Sequence, residues 1–395
     1  MTSVLADVAD VAVVGLGAVG SAVAHHLAAA GAKVVGIDRF RPPHAHGSSH
    51  GATRITRLAI GEGDEFVPIV QRSHALWRAL EAETGETLMI TTGGLVIASA
   101  ASDRRPYHGQ AGFFEQTVGA AERFGIVHER LDADEVRHRF PAFAPADDER
   151  GYWERDAGIL LPERCVAGQL QAAARHGADL RYDTVVHGIE NEAGASGATV
   201  VTDAGRFAAA HVVVATGAWL PAMLPMAQRA RFAVQRQVLH WFATDAPDLY
   251  VPDRCPVFIW MHGEDGAAFY GFPKADGYAG VKIATEQAER STTPEAVARV
   301  VTKEETALTY DTHVRGRLRG VSSRSVHDAT CLYTSTADGR FVIDRHPELA
   351  CVTVVSACSG HGFKHSAAIG EAVADGVLGR VPRVDLAPFA TLSEA

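Results

Sequence analysis

The first forty residues carry a regular pattern of apolar and small positions. Val11–Val14 is a β-rich apolar run, residues 15–20 read Gly-Leu-Gly-Ala-Val-Gly, and an alanine-rich segment follows. A second apolar run, Val34–Ile37, ends on Asp38. Short apolar runs bounded by glycine indicate buried strands, and an alanine-rich segment favours a helix. The pattern predicts a β-α-β unit whose first turn is a G-x-G-x-x-G motif.

The rest of the chain divides into helical and strand-like stretches. Helical spacing or composition predicts helices over 65–84, 112–124, 132–140, 294–308 and 366–378, with 102–140 as a helical insertion and an alanine-rich helix after 158–162. Strands are predicted at 93–97, 158–162, 181–189, 198–202, 212–216, 232–243, 257–260, 267–272, 280–284, 331–334, 341–344 and 352–357. Four consecutive strands between 232 and 284 indicate an antiparallel sheet.

The glycine turn predicts a dinucleotide site. Gly15 permits the tight turn, Gly17 lets a pyrophosphate approach the backbone, and Gly20 allows close packing of helix and strand. The helix N-terminus offers unpaired N–H groups to phosphate. Asp38 is placed to accept ribose hydroxyls, which favours NAD or FAD over NADP. A module that only binds or senses NAD remains an alternative at this point.

The segment Val213–Ala218 contains an Ala-Thr-Gly turn after a strand. This turn resembles that of flavoproteins of the glutathione-reductase type, which favours FAD over NAD. The expected fold class is α/β (α+β), with two domains. A Rossmann-like FAD-binding domain is interleaved with a substrate domain that has an antiparallel β-sheet and flanking helices. The predicted divisions are 1–88, 158–222 and 328–395 for the first domain, and 89–157 and 223–327 for the second.

Composition narrows the classes of partner. The chain has 395 residues and a formal net charge of −10, without a basic cluster, so neither nucleic acid nor an anionic membrane surface is an expected partner. The longest apolar runs are far shorter than the roughly 20 residues of a membrane-spanning helix. The N-terminus lacks a signal-peptide pattern. Five cysteines without metal-ligand spacing are consistent with a reducing cytoplasm, the expected location.

The polar loop after Asp38 contains two misleading motifs. Gly47–Gly51 matches G-x-S-x-G, but the strand before it and the helix after it that a serine nucleophile requires are missing. His44, His46 and His50 lack a neighbouring cysteine or carboxylate that would complete a metal site. We therefore expect no hydrolase and no metal centre.

Several ordered motifs resemble one family over nearly the whole chain, the monomeric sarcosine oxidases and N-methyltryptophan oxidases of the D-amino-acid-oxidase-like superfamily. The matching segments are 42–44 (Pro-Pro-His), 47–57, 61–63 (Gly-Glu-Gly), 270–273 (Tyr-Gly-Phe-Pro), 331–334 (Cys-Leu-Tyr-Thr), 341–344 (Phe-Val-Ile-Asp) and 359–364 (Ser-Gly-His-Gly-Phe-Lys). Their length and order make the resemblance specific.

The resemblance assigns roles to individual residues. Cys331 matches the cysteine that joins FAD through a thioether at the flavin 8-methyl group. Arg57 and Lys364 match the two cations that bind the substrate carboxylate. Tyr270 and Tyr333 match phenols around the substrate. The residues that this resemblance and the fingerprint predict to contact FAD are Gly15, Gly17, Gly20, Asp38, Ser49, His50, Thr53, Arg54, Val186, Gly217, Cys331, Gly360, Gly362, Phe363 and Lys364.

Two residues near the end of one predicted strand are expected to act in the reaction with oxygen and in the choice of substrate. Lys282 matches the lysine held over the flavin for the reaction with oxygen, where a fixed ammonium stabilises the superoxide anion. Glu286 stands where sarcosine oxidases carry an active-site histidine. Because positions 282 and 286 share a face of a strand, Glu286 is expected in the same cavity as Lys282. A carboxylate in a dry site favours a larger substrate with donor groups over sarcosine.

The resemblance implies an FAD-dependent oxidase of secondary or N-substituted α-amino acids. Hydride passes to the flavin, the imine hydrolyses, and oxygen is reduced to hydrogen peroxide. The expected partners are an N-substituted amino acid and oxygen, and the protein is expected to be a monomer. The alternatives are a fructosyl-amino-acid oxidase, an oxidase of pipecolate or another cyclic imino acid, and an amino-acid dehydrogenase with a different electron acceptor.

Overall fold

The computed structural model describes residues 8–104, 107, 111–191, 197–263, 267–275, 277–288 and 290–392. Its strands are β1 Ala9–Val14, β2 Val34–Ile37, β3 Arg54–Thr56, β4 Met89–Thr91, β5 Gly94–Ser99, β6 His128–Leu131, β7 Glu149–Glu154, β8 Gly158–Leu160, β9 Asp179–Arg181, β10 Val186–Asn191, β11 Ala198–Thr202, β12 Gly205–Val214, β13 Ala233–Thr244, β14 Val257–His262, β15 Ala267–Phe272, β16 Val281–Thr285, β17 Val321–Ser335, β18 Val342–Arg345 and β19 Val352–Ser356. Its α-helices are α1 Ala18–Ala29, α2 Phe66–Thr84, α3 Phe113–Arg123, α4 Ala133–Arg139, α5 Pro162–Arg175, α6 Met226–Arg229, α7 Lys303–Thr309 and α8 Ser366–Val377.

The first sheet contains the glycine motif. Its strand order is β10-β11-β12-β1-β2-β9, and β19 pairs with β12 and β18. The contacts of β1 with β2 and β12, of β2 with β9 and of β12 with β19 are all parallel. Helix α1 packs against α5 and α8. Because the carboxyl ends of parallel strands share one edge, the turns after β1, β2, β12 and β19 meet there.

The second sheet is mainly antiparallel, with the order β17-β13-β16-β15-β14-β5-β7-β6. Only β14 and β5 pair in parallel within it. A small third sheet has the order β3-β8-β4. The predicted combination of a Rossmann-like parallel sheet with an antiparallel sheet is thus present. Strand β17, which carries Cys331, pairs with β13 along the second sheet. The exact division of the chain into domains stays a prediction.

Three predicted elements differ from the structure. Helix 294–308 is wrong in its first half, because α7 begins after Thr302, whose hydroxyl accepts from Glu305 N while the Glu305 carboxylate accepts from Thr302 N. That capping box fixes the helix start. The predicted strand 181–189 is interrupted at Asp183, whose φ is +54°. The predicted helical insertion, 102–140, also contains strand β6, and its residues 105, 106 and 108–110 lie outside the described ranges.

The hydrophobic core has separate parts beside each sheet. Val13, Val23 and Leu27 belong to the part between β1 and the helices. Phe258 and Trp260 belong to the part on the second sheet. Burial of such side chains supplies the main favourable term in folding and holds the two sheets rigid beside the site. Among the described residues, none of the helices combines the length and the apolar character needed to cross a lipid bilayer.

Candidate active site

The turn after β1 has the backbone that a dinucleotide pyrophosphate requires. Gly15 has a φ of +87°, and a Cβ there would lie 2.6 Å from the carbonyl oxygen of Ala215. A Cβ on Gly20 would lie 1.7 Å from the carbonyl oxygen of Gly15. Gly17 is the N-cap of α1 and supplies no side chain to it. The N–H of Ala18, the first of α1, donates to Ser49 Oγ at 3.1 Å, and the N–H groups that follow it in the first turn have no helical acceptor and can donate to a phosphate.

Asp38 follows β2 and lines the same cavity. Its carboxylate accepts the backbone N–H of Leu16 at 2.7 Å and that of Phe40 at 2.9 Å. An ionised carboxylate has about four acceptor positions, so two backbone donors leave capacity for ribose hydroxyls. The two bonds also hold the acid at the end of the β-α-β unit, which is the position that the sequence predicted.

One large cavity between the parallel and antiparallel sheets brings most of the predicted residues together. It is lined by Gly15, Gly17, Asp38, Ser49, Arg54, Arg57, Val186, Gly217, Tyr270, Glu286, Tyr333, Gly360, Gly362, Phe363 and Lys364. The predicted residues Gly20, His50, Thr53, Lys282 and Cys331 lie outside its lining. Gly20 acts through packing, and the other four lie behind the lining.

The cavity fits a flavin dinucleotide. Its glycine turn, helix N-terminus and ribose-facing acid would hold the ADP half. Ser48 and Thr216 also line it, and each has a buried hydroxyl without a hydrogen-bond partner among the described residues. Buried polar atoms are normally satisfied, so these two fit a bound polar group. Arg54 and Gly360–Lys364 line the same cavity together with the phenols.

The segment 51–59, in which strand β3 carries Arg54, is held by carboxylates that the sequence analysis missed. Glu163, in the first turn of α5, accepts the N–H groups of Gly51 at 2.7 Å and Ala52 at 3.0 Å. Glu154, on β7, accepts those of Leu58 at 2.6 Å and Ala59 at 3.0 Å. Both contacts join segments about a hundred residues apart. No local motif indicates them, and β7 itself was not predicted.

A buried group of charges occupies one part of the cavity. Arg57 contacts Glu62 at 2.5 Å, and Lys364 Nζ lies 3.7 Å from the same carboxylate. Lys364 also donates to the carbonyl of His361 at 2.9 Å. All three charged side chains are buried. Two cations face one carboxylate, so the trio by itself has one net positive charge, which favours a substrate carboxylate, while the Glu286 carboxylate of the same cavity opposes this effect. Glu62 belongs to the Gly-Glu-Gly motif at 61–63, but the motif predicted no role for its carboxylate.

Tyr270 and Tyr333 form the wall beside this group. Their hydroxyl oxygens are 3.1 Å apart and hydrogen-bonded. Burial raises the pKa of both phenols, so both stay neutral. Glu286 follows β16 and lines the cavity too. A Cβ on Gly360 would come to 3.0 Å from both Glu286 Oε1 and the ring of Tyr333, which places these groups side by side.

Lys282 lies on β16 but behind the loop 51–53. Its Nζ donates to the carbonyls of Gly51 at 2.6 Å and Thr53 at 2.9 Å, and to the Thr53 hydroxyl at 3.0 Å. It also lies 4.6 Å from the ring centroid of Phe272 and 5.3 Å from that of Trp241. These contacts of the ammonium are with uncharged oxygens and ring faces. Glu286 faces the cavity directly, whereas loop 51–53 covers the ammonium of Lys282, so the two do not share the lining as expected.

Cys331 is a buried thiol on β17, opposite Gln237 of β13. Burial raises its pKa, and the positive charge of Arg54 opposes that rise. Cys358 lines the cavity, and its Sγ accepts the N–H of Thr334 at 3.4 Å. The cysteine that the sequence singled out is therefore covered, and a second thiol is open to the cavity.

Among the described residues, the loop histidines do not belong to a group of three or more potential metal ligands. Burial lowers the pKa of His50 to about 3, so its imidazole is neutral. Within the described ranges, the one group of potential ligands with donor atoms within 4.8 Å of one another is His25, Glu83 and His176, outside the cavity. Arg175 donates to Glu83 there at 3.0 Å, which opposes the binding of a cation.

The charge of Lys364 predicts how carboxylate binding depends on pH. Burial lowers its pKa to about 8, so the ammonium is present below pH 8 and is lost as the pH rises through that value. Losing one charged hydrogen-bond donor weakens binding by about 1.5 to 3 kcal/mol. The dissociation constant of acetate, titrated by flavin absorbance from pH 6 to 10, should be flat below the pKa and then rise about ten- to a hundred-fold. Lys364→Met should remove this step, and the same step in that variant would contradict the assignment.

Comparison with known proteins adds independent findings. A DAO family model, described as FAD dependent oxidoreductase, matches residues 10–376. The chain is 37% identical to a monomeric sarcosine oxidase from Streptomyces avermitilis, over 93% of this chain and 92% of that protein. It is 31% identical to an N-methyl-L-tryptophan oxidase from Salmonella newport, over 96% of this chain and 97% of that protein. Among solved structures it resembles NikD, described as an unusual amino acid oxidase essential for nikkomycin biosynthesis, with a TM-score of 0.82, 23% identity and 97% coverage of each chain. This last likeness concerns the fold alone.

Proposed function

Because the chain belongs to the DAO family of FAD-dependent oxidoreductases, we propose that it oxidises N-substituted α-amino acids with oxygen as the electron acceptor. The family membership confirms the resemblance that the sequence motifs indicated. The observation that carries the proposal is the Arg57–Glu62–Lys364 group beside two neutral phenols, in the cavity that also contains the dinucleotide turn. Such a site suits a carboxylate with a neutral amine next to it.

The protein's own groups bind and orient the substrate. Arg57 and Lys364 hold its carboxylate, and the hydrogen-bonded Tyr270 and Tyr333 direct the amine. When bound, FAD supplies the two-electron redox chemistry. The imine product hydrolyses in water. Lys282 is proposed to stabilise the superoxide anion that forms when oxygen takes its first electron. Cys331 is proposed to hold the flavin covalently.

A peroxide-coupled screen tests this proposal. Purified protein is assayed in air against sarcosine, other N-methyl amino acids, cyclic imino acids such as pipecolate, and fructosyl amino acids. Peroxide formation with at least one of these substrates is expected. Reduction of an artificial acceptor without peroxide would instead identify an amino-acid dehydrogenase. Activity only with primary amino acids would contradict the substrate class.

Replacement of Arg57 by alanine is expected to raise KM for an amino-acid substrate about ten- to a hundred-fold, because a charge-assisted hydrogen bond contributes about 1.5 to 3 kcal/mol. The corresponding amine without a carboxylate should change little. Arg57→Ala alone leaves Glu62 buried with one cation fewer, so Arg57→Ala/Glu62→Gln is the matched variant without that carboxylate. Equal losses for the acid and the amine in both variants would mean that Arg57 serves the flavin or the fold.

A further inference from the structure

A second cavity lies next to the cofactor cavity, beside Tyr333. It has a volume of about 660 Å³, which is within the size range of ligand pockets. Strand ends of the antiparallel sheet line it, from β13, β15, β16 and β17. Tyr107, Glu286 and Tyr333 line both this cavity and the cofactor cavity, so the two cavities adjoin at these three residues.

The lining of the second cavity combines small residues with residues that have hydrogen-bonding side chains. Ala233 and Ala268 leave space, while Thr285, Ser335 and Thr336 contribute hydroxyl groups. Its floor is held in place by two amides. Gln237 donates to the carbonyl of Gln287 at 2.8 Å and accepts that residue's N–H at 2.8 Å, and Gln235 donates to the carbonyl of Ala288 at 3.0 Å. Fixed polar groups of this kind, set among small residues, suit a ligand with its own hydrogen-bonding groups.

The positions of the charges determine which end of a substrate faces this cavity. In the proposed function the substrate carboxylate binds at Arg57 and Lys364 and the amine at the phenols beside them. A group on the amine that extends away from the carboxylate would then reach Tyr333 and Glu286, which also line the second cavity. The Glu286 carboxylate at this junction can accept hydrogen bonds from hydroxyl or ammonium donors and repels anions.

We propose that the second cavity binds a hydroxyl-rich N-substituent of the amino acid and that Glu286 accepts hydrogen bonds from it. This inference rests on the proposed function and specifies its substrate class. Sarcosine, whose N-substituent is one methyl group, ends before the passage. The cavity and its carboxylate would add nothing to the binding of sarcosine, so a larger polyhydroxylated substrate should be preferred.

The test compares three N-substituted glycines with the FAD-loaded protein. Sarcosine is the small substrate, fructosyl-glycine is the polyhydroxylated one, and N-benzylglycine is a large apolar control. The wild-type protein should show a kcat/KM for fructosyl-glycine at least about tenfold above those of the other two. A higher value for sarcosine or N-benzylglycine would overturn the proposal.

Two variants fill the cavity from paired positions. Ala233 and Ser335 face each other on β13 and β17, so Ala233→Trp and Ser335→Trp are independent ways to occupy the space. Each should lower kcat/KM for fructosyl-glycine at least about tenfold and that for sarcosine less than about threefold. Ala210→Trp, at an exposed position on β12, is the matched control and should change neither value. Equal losses for both substrates in both cavity variants would overturn the proposal.

Glu286→Gln keeps the size of the side chain and removes its charge. It should lower kcat/KM for fructosyl-glycine by a larger factor than that for N-benzylglycine, because only fructosyl-glycine brings hydroxyl donors to Glu286. A binding measurement separates this inference from the proposed function. If no N-substituted amino acid is oxidised, the proposed function fails, and the cavity is judged by the dissociation constants of fructosyl-glycine and acetate from flavin absorbance. If the dissociation constant of fructosyl-glycine rises about tenfold in both tryptophan variants while that of acetate does not change, the second cavity binds the N-substituent. An unchanged dissociation constant of fructosyl-glycine would overturn the proposal.

Discussion

Lys282→Met is expected to slow the reaction with oxygen by about a hundred- to a thousand-fold, while the reaction with the amino-acid substrate changes little. Removing one preorganised group that stabilises a developing anion costs about 2.7 to 4 kcal/mol. Methionine keeps most of the length of lysine and removes its charge. The two half-reactions are measured separately by stopped flow, and equal losses in both would exclude this role.

The surroundings of Lys282 make a large effect reasonable. The side chain is only 2% exposed, and Gly51 and Thr53 supply three uncharged oxygens that accept from its ammonium. Two unit charges about 6 Å apart interact by about 3 kcal/mol at an effective dielectric constant of about 20. An ammonium behind one loop therefore still acts on an anion formed at the cavity surface. The loop keeps it dry and fixed, so little reorganisation is needed when the anion appears.

Two further variants serve as controls for Lys282. Lys282→Arg retains a positive charge and should recover part of the oxygen reactivity. Lys364→Met removes a buried cation from the same cavity, but one beside Glu62, and should weaken substrate binding without the large loss in oxygen reactivity. If Lys364→Met slows the oxygen reaction as strongly as Lys282→Met, the effect belongs to the net charge of the cavity and not to Lys282.

Cys331→Ala is expected to release all of the flavin when the protein is denatured in acid, whereas the wild-type flavin stays with the precipitated chain. A non-covalent cofactor depends on the folded site, but a thioether survives unfolding. The measurement is the flavin absorbance of the supernatant and of the redissolved protein. Release of all flavin from the wild-type protein would contradict the attachment.

Cys358→Ala is the matched control for that experiment, because Cys358 lines the cavity while Cys331 is 1% exposed and lies outside the lining. The control variant should retain its flavin. If Cys358→Ala releases the flavin and Cys331→Ala does not, the attachment belongs to Cys358. The two variants together therefore distinguish the thiol that the motif indicates from the thiol that faces the cavity.

Elements with strong local patterns were the ones predicted well. The turn at Gly15–Gly20, the helix over 65–84 and the successive strands from 232 to 284 depend on neighbouring residues, and all are present in the structure. Strands β6 and β7 were missed because they are short and carry several charged residues, which hide the alternation of a strand. The start of α7 was misplaced because its capping box at Thr302 was not recognised.

The sequence by itself determined the dinucleotide fingerprint, the family and the main cations of the site. Each of these is contained in a contiguous motif, whose chemistry follows from backbone freedom, charge and spacing. Only the tertiary structure decided that Glu62 lies between Arg57 and Lys364, that loop 51–53 covers Lys282, and that a second cavity lies behind Tyr333. Lys364 and Glu62 are some three hundred residues apart, and four strand ends make the cavity. Such arrangements arise from the packing of distant segments, which no local pattern encodes.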